Sequence, residues 1–401
     1  MTIRLFPARW RTIALALLGA LYASAALAQH AEHAPAKPKK RAPALAMGAA
    51  FAPSGELWVV ALDEQQRLTV QTSADEGKTW AAPRVLARGD DAISADGENR
   101  PKIAFGPSGQ VVISYTQPLA RPYTGAIRML RSTDGGRSFS APFTVHADRQ
   151  VITHRFESIA FDAQGTLHTL WVDKRDLEAA ASKKDYRGAA IYRNESRDGG
   201  ASFGPDIKLA EHSCECCRIA LAPSPDGRLA AMWRHVFAPN QRDHAFALLG
   251  EAPKAEPVRA SQDRWAVDAC PHHGPGLTPA AQGGYHAVWF GERAGVAAAR
   301  YGRLAADGSP QGEAQPLPDE GAEHADLISA GATLAIVWRS YDGQATRLRA
   351  WLSRDDGRSF SLQELDASPD DNDHPRLVRR GERLFALWRT TKGIHVHALL
   401  P

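Results

Sequence analysis

One eight-residue pattern recurs four times and dictates local geometry wherever it occurs: Ser-x-Asp-x-Gly-x-Ser/Thr-Trp/Phe. The copies are SADEGKTW from Ser73, STDGGRSF from Ser132, SRDGGASF from Ser196 and SRDDGRSF from Ser353. The Asp can accept backbone N–H bonds across a tight turn, the Gly supplies a positive φ, and the closing aromatic ring plugs inward as an anchor. Each copy follows an apolar strand. A single copy is only a turn, but four make a repeat, and a repeating chain folds as an array of like units.

A second, longer period reaches segments without the octet. Each unit has an apolar strand, a Gly-containing turn and a second strand that usually ends in an aromatic. The units are AFAPSGELWVVAL from Ala50, PKIAFGPSGQVVISY from Pro101, ESIAFDAQGTLHTLW from Glu157, CRIALAPSPDGRLAAMW from Cys217, HGPGLTPAAQGGYHAVW from His273, ADLISAGATLAIVW from Ala325 and PRLVRRGERLFALW from Pro375. Their spacing of roughly 50 to 60 residues fits one small antiparallel sheet per unit, arranged as a β-propeller. The fold expected is therefore all-β with seven four-stranded blades. Six blades plus an irregular unit is the alternative. The last unit has room for three strands only, so a segment near Arg41 to Leu45 is expected to supply the fourth and close the ring. The stretch from Asp173 to Gly188 reads as a long loop in the third unit, with a lid as one of its readings.

The octet resembles the Asp box, or BNR repeat, of sialidase-like β-propellers, and the resemblance spans most of the chain as architecture. It implies that the first strand of each blade lines the axis. The start of that strand lies on the same face as the end of the second strand, and the Asp boxes lie on the opposite face. A ligand site is then expected at the strand-one starts.

The N-terminus carries an export signal. Arg4, Arg9 and Arg11 precede an apolar core from Thr12 to Leu21, and Ala26-Leu-Ala28 fits a small-residue cleavage site. The domains expected are a signal over 1–28, a disordered Ala/Pro/Lys-rich lead-in over 29–45 and one propeller over 46–401. The apolar run is short for a membrane span, and no other stretch is long enough. A net charge of +3 with mixed signs gives no footprint for nucleic acid or an anionic membrane. Export places the four cysteines in an oxidising compartment, periplasmic or secreted.

With the units aligned on the apolar residue three places on, the start of strand one reads Ala46, Arg100, Phe156, Cys216, His272, His324, His374. Four successive blades offer Cys, His, His and His, and Cys217, His273 and Cys270 lie beside them. Thiolate and imidazole donors suit copper or zinc. The set assigned to a metal is Cys216, His272, His324 and His374, with Cys217, His273 and Cys270 as alternates. Water-bound polar lining is the competing reading. Among the thiols, Cys216 or Cys217 could pair with Cys270, or Cys214 with Cys217, and the spacing does not choose. His30 and His33 read as a solvated tail. His395 and His397 share one face of a terminal strand and read as surface.

The resemblance also implies sialidase chemistry: three Arg to clamp a carboxylate, a Tyr nucleophile with a Glu neighbour, and an Asp acid–base. Arg100 lies in Asn-Arg-Pro-Lys, which is similar to the family's Phe/Tyr-Arg-Ile-Pro but lacks the aromatic and the Ile. Arg339 and Arg389, like Arg234, follow the Trp that ends strand two, and Asp173 takes the equivalent place in the third blade. Glu157 is near it, and Tyr186 and Tyr341 are the tyrosines available. The structural alternative for the Trp-Arg pairs is stacking on the indole or pairing with a neighbouring blade's acid. Three functions follow as expectations. The first is a periplasmic propeller that binds copper or zinc at its axial mouth for metal handling or cofactor assembly, with a periplasmic protein as partner. The second is a sialidase-like glycoside hydrolase using Arg100, Arg339, Arg389 and Asp173. The third is a non-catalytic binding platform.

Overall fold

The computed structural model describes residues 44–182, 186–254, 256–269 and 271–400. The residues read as an export signal, those read as a lead-in as far as residue 43, His30, His33 and Cys270 lie outside them. Seven antiparallel sheets follow one another along the chain, each paired in sequence order. Their innermost strands are Gly48–Phe51, Lys102–Phe105, His154–Phe161, Ala220–Pro223, Gly276–Pro279, Glu323–Ala330 and Arg376–Arg380. Each of these packs against the innermost strand of the next blade, and the seventh against the first. The result is a closed β-propeller.

Among the described residues, six blades have four strands, and the seventh has three, Arg376–Arg380, Arg383–Thr390 and Gly393–Leu399. The expected fourth strand near Arg41 to Leu45 is not formed by Ala44 or Leu45, which join no sheet. Among the described residues, side chains close the ring. Met47, Leu57 and Val59 of blade 1 share an apolar core with Val378, Phe385 and Leu387 of blade 7. Each of the other six blade interfaces has its own apolar core. The alternation of the strands thus buries both faces of every sheet.

The octets form four copies of one hydrogen-bonded turn at the end of a blade's third strand. Ser132 Oγ donates to Asp134 Oδ1 at 2.8 Å and accepts the Gly136 N–H at 2.8 Å. The Asp134 carboxylate accepts the N–H and hydroxyl of Ser138, at 3.0 and 2.6 Å. The same bonds recur from Ser73, Ser196 and Ser353. The aromatic anchors Trp80, Phe139, Phe203 and Phe360 are half-buried against the interface cores. The box glycine has a second role. A Cβ on Gly136 would meet Trp58 of the preceding blade at 2.5 Å. Gly77, Gly200 and Gly357 likewise face Val396, Val112 and Tyr301 of the blades before them.

The second-strand aromatics are deeply buried, Trp171, Trp233, Trp338 and Trp388 most of all. The Trp171 and Trp289 indole N–H groups donate to Asp173 and Asp263, both at 2.7 Å. The arginines that follow reach toward the next blade. Arg234 donates to the His273 and Phe290 carbonyls at 3.0 and 2.7 Å. Arg389 donates to the Leu62 carbonyl at 2.9 Å, and Arg339 to Asn372 Oδ1 at 3.0 Å. The partners expected for these arginines, an indole or a neighbouring acid, are thus mainly backbone carbonyls. Arg234 also lies over the Trp265 ring at 5.5 Å, and Arg339 Nε is 3.1 Å from Glu323 of its own blade. The insert read as a loop after Asp173 contains a short helix, Arg175–Ala179.

Candidate functional site

The strand-one starts surround a cavity of ≈ 580 Å³ on the axis, on the face away from the boxes. Five of the seven aligned positions line it: Phe156, Cys216, His272, His324 and His374. Ala46 is buried, and Arg100 lines a second cavity among the innermost strands. Lys174 and Glu215 form an ion pair at the rim, so the blade-3 insert does reach the mouth. Tyr123 and Arg155 complete that side.

Backbone geometry aims these side chains. Phe156, His272 and His324 have φ of 56°, 56° and 52°, a region that non-Gly residues visit sparingly. In two of the three the cause is a β-bulge. Phe156 and Glu157 together oppose Trp171, between the pairs Arg155↔Val172 and Ser158↔Leu170. His324 and Ala325 oppose Trp338 in the same way. The extra residue breaks the strict alternation and turns the side chain onto the mouth. Such strain is held where the surroundings over-determine it, often at functional sites.

The imidazoles gather around a carboxylate that the sequence does not single out. Glu98, from the loop between blades 1 and 2, crosses the ring to blades 4 and 6. Both its oxygens accept from Arg218 Nη1 at 2.9 Å, and Oε1 lies 3.3 Å from His324 Nδ1 and 3.8 Å from His374 Nδ1. Burial raises the Glu98 pKa, but Arg218 and the two histidines outweigh it and hold the group well below the ordinary value. Glu98 is therefore a buried anion. The His324 and His374 rings stack with centroids 3.3 Å apart, and His273 stacks on the other face of His324 at 4.3 Å. Burial pushes His374 well below its ordinary pKa and His273 down to about 3, so both are neutral with lone pairs to offer. His374 Nδ1 makes no hydrogen bond among the described residues. Loop residue Gly97 permits the approach, since a Cβ there would meet His374 at 2.6 Å. One ligand atom each from Glu98, His324 and His374 lie within 4.8 Å of one another. A second such group joins His273, Glu323 and His324. His272 lines the same cavity outside both groups.

Cys216 stands with the other thiols rather than with the imidazoles. Its sulfur is 3.7 Å from that of Cys214 and 3.9 Å from that of Cys217. These separations are far beyond a disulfide's ~2.05 Å. The alternative of a Cys214–Cys217 bridge is likewise not formed, since Cys217 is a thiol, and its pKa is raised by hydrogen bonding with Cys214 and by burial. Pairing with Cys270 falls outside the described residues.

The residues that the sialidase resemblance singles out are engaged elsewhere. Arg100 is buried in a two-pronged pair with Asp373, at 2.7 and 3.0 Å. Asp173 accepts from Trp171 and from Arg175. Glu157 accepts from Ser114 and Thr116 at 3.2 and 2.9 Å. Tyr186 packs at 5.3 Å from His212, and Tyr341 is exposed with its hydroxyl on the Gly343 carbonyl. None of these lines the mouth cavity. On the outer strands, His395 and His397 both contact Asp366 of blade 6, at 2.8 and 3.2 Å.

The ring positions were legible because strand one begins at a fixed offset from an apolar residue. Glu98 and Arg218 were not. A lone acid in an inter-blade loop carries no signal until the loop's path across the ring is known.

No family model matches the sequence, and no curated protein matches it. Solved structures do. An ulvan lyase, a polysaccharide lyase solved with a bound GlcA–Rha3S sugar, aligns with a TM-score of 0.58 at 11% identity, over 88% of this chain and 92% of that one. The α-L-arabinofuranosidase of Fusarium graminearum aligns at 0.50 and 13% identity, over 80% and 92%. A Hadza microbial sialidase aligns at 0.48 and 14%, over 87% and 74%. At these identities the likeness is one of fold. The chain shares the β-propeller fold of these proteins, and its neighbours in fold include glycan-processing enzymes.

Proposed function

We propose that the axial mouth binds a borderline transition-metal ion, copper or zinc, with Glu98, His324 and His374 as ligands and His272 and His273 beside them. The observation that carries this reading is the convergence of two imidazoles and a buried carboxylate, each brought in by a different blade or inter-blade loop. Two His and one carboxylate leave positions open for a further ligand. Arg218 fixes the carboxylate as a second-layer partner does at metal sites. With the export signal, the role is handling of a metal in the periplasm, including transfer to a protein partner. The test is metal content and affinity of the purified protein with copper(II) and zinc. His324→Ala and His374→Ala each lower affinity by at least about 10-fold. Wild-type affinity and stoichiometry in both variants would remove the reading.

A second reading is a glycan-active enzyme. Its support is the polysaccharide-processing neighbours in fold and a mouth of ligand-sized volume, with Arg155, Lys174 and the 79%-exposed Tyr123 at the rim. These cations suit an acidic sugar. In its sialidase-like form, Arg100, Arg339 and Arg389 bind the carboxylate and Asp173 is the acid–base, which requires their present pairings to open. Turnover of a fluorogenic sialoside or cleavage of a uronate polysaccharide, undiminished by a chelator, favours this reading over the first. A protein with neither metal affinity nor turnover is a binding platform.

A further inference from the structure

We infer that the axial shaft beneath the mouth binds a small oxyanion of the phosphate or sulfate class, in a slot over Gly48 between Arg376 of blade 7 and Lys102 of blade 2. The slot takes its ion whether or not His324 and His374 hold a metal.

Residues two apart in a strand share a face. Two places on from the mouth ring, Gly48, Lys102, Ser158, Arg218, Asp326 and Arg376 make a second tier along the axis. All six line the second cavity, whose volume is ≈ 320 Å³. Four cations line this shaft, Arg100, Lys102, Arg218 and Arg376, against two acids, Glu98 and Asp326. Asp373 and Glu157 stand outside the lining, paired with Arg100 and Lys102.

The donors of these cations are spent unevenly. Arg100 is filled by Asp373 and by the Gly97 and Met47 carbonyls. Arg218 is filled by Glu98 and by the Pro275 and Ala325 carbonyls. Lys102 Nζ donates to the Arg100 carbonyl at 2.9 Å and lies 3.4 Å from Glu157 Oε1. The Arg376 guanidinium makes no hydrogen bond among the described residues. Its nearest acid oxygen is Asp326 Oδ2, 3.6 Å from Nε, and that oxygen already accepts the Leu377 N–H at 3.0 Å. A guanidinium carries five N–H donors in a rigid fork that matches an oxyanion. Away from bulk water, leaving that fork unpaired is costly.

Blade 1 lies between blades 7 and 2, and its residue in this tier has no side chain. A Cβ on Gly48 would meet the Pro101 carbonyl oxygen at 2.4 Å and Lys102 Cα at 3.0 Å. Close packing of the two strands thus keeps this position bare, and the tier has a gap flanked by two cations. The charges in the shaft act on one another. Burial pushes the Lys102 pKa down, Glu157 draws it up, and Arg100 and Arg376 lower it again. Burial also lowers Arg376, Asp326 opposes this, and Arg218 and Arg100 add to the fall. An anion in the gap offsets both the desolvation and the repulsion.

The test is calorimetric titration of the purified protein with sodium phosphate and with sodium sulfate. Ionic strength is held constant with sodium chloride, and a chelator keeps phosphate from reaching a mouth metal. One ion binds per chain, and the Tm rises with its concentration as linkage requires. Arg376→Met and Lys102→Met each weaken binding by at least about 10-fold. Arg376→Lys keeps the charge without the fork and retains part of the affinity, and His324→Ala leaves it unchanged. Binding of either ion, or of both, supports the slot and names its occupant. Anomalous diffraction from wild-type crystals soaked in selenate places the ion between Arg376 and Lys102, which covers the case of a variant that fails to fold. No saturable binding, equal affinity in wild type and the Met variants, or selenate found only outside the shaft each overturns the proposal.

Discussion

Burial, more than any sequence neighbour, sets the charge of the histidines. Desolvation carries His146, His235 and His273 down to about 3, with a nearby histidine as the next contributor in each case. They are neutral when folded and titrate near 6.5 when unfolded. Between those values the unfolded chain binds more protons, so stability is full above about pH 6.5 and falls as pH drops toward 3. Each such imidazole contributes a slope of about 1.4 kcal/mol per pH unit in that window. His235 isolates the effect. Neither ring nitrogen makes a hydrogen bond among the described residues, and the ring packs edge-on to Phe237 at 4.4 Å. His235→Phe is expected to flatten the acid side of the stability–pH curve by about one such slope while leaving stability near neutrality within about 1.5 kcal/mol. Urea midpoints from pH 4 to 8 measure it, and curves that run parallel would show that His235 is not neutral by burial. No sequence pattern marks His235 as buried, because it lies at the end of a strand where either exposure fits the alternation.

At the scale of the element, the Asp box was legible as a turn and only half legible as a part. Its Asp was read as an acceptor and its Gly as a positive-φ position within the octet, and both are so; the bonds of its Ser were not read. The contact with the preceding blade was invisible, because Trp58 and Gly136 belong to different units whose packing distance no local pattern encodes. Two neighbouring glycines separate the two roles. Gly135 and Gly136 have φ of 72° and 82°, but a Cβ on Gly135 meets nothing within 4 Å while one on Gly136 meets Trp58 at 2.5 Å. Gly135→Ala is expected to cost about 1 kcal/mol through backbone strain alone. Gly136→Ala adds overpacking and is expected to cost about 2 to 4 kcal/mol. Equal unfolding midpoints for the two variants would show that the blade contact yields without cost. The seam between blade 7 and blade 1 follows the same logic. The count of three strands could be read from chain length, whereas the means of closure could not.

For the whole molecule, the period of the units was enough to give seven blades. It could not show what fastens the last blade to the first. Asp373 does much of this. Its carboxylate accepts from Arg100 of blade 2 at 2.7 and 3.0 Å and from the Met47 N–H at 3.1 Å, and Arg100 in turn donates to the Met47 carbonyl at 2.9 Å. Three blades meet at one ion pair whose side chains are 5% and 2% exposed. The entry loop of blade 7 is thus bonded to the first residues of the ring before the apolar core between them is counted. Truncating one partner of a buried pair leaves the other charge without compensation, so Asp373→Ala is expected to cost about 3 to 5 kcal/mol. Asp373→Leu with Arg100→Met removes both charges and should recover much of that loss. The loss should also be local in its first effect. Amide exchange should accelerate in residues 376–399 and 45–62 before the middle blades, because those segments share the closing interface and the other six interface cores are untouched. A uniform rise in exchange across all seven blades, or an unchanged midpoint in Asp373→Ala, would mean that the apolar core alone closes the ring.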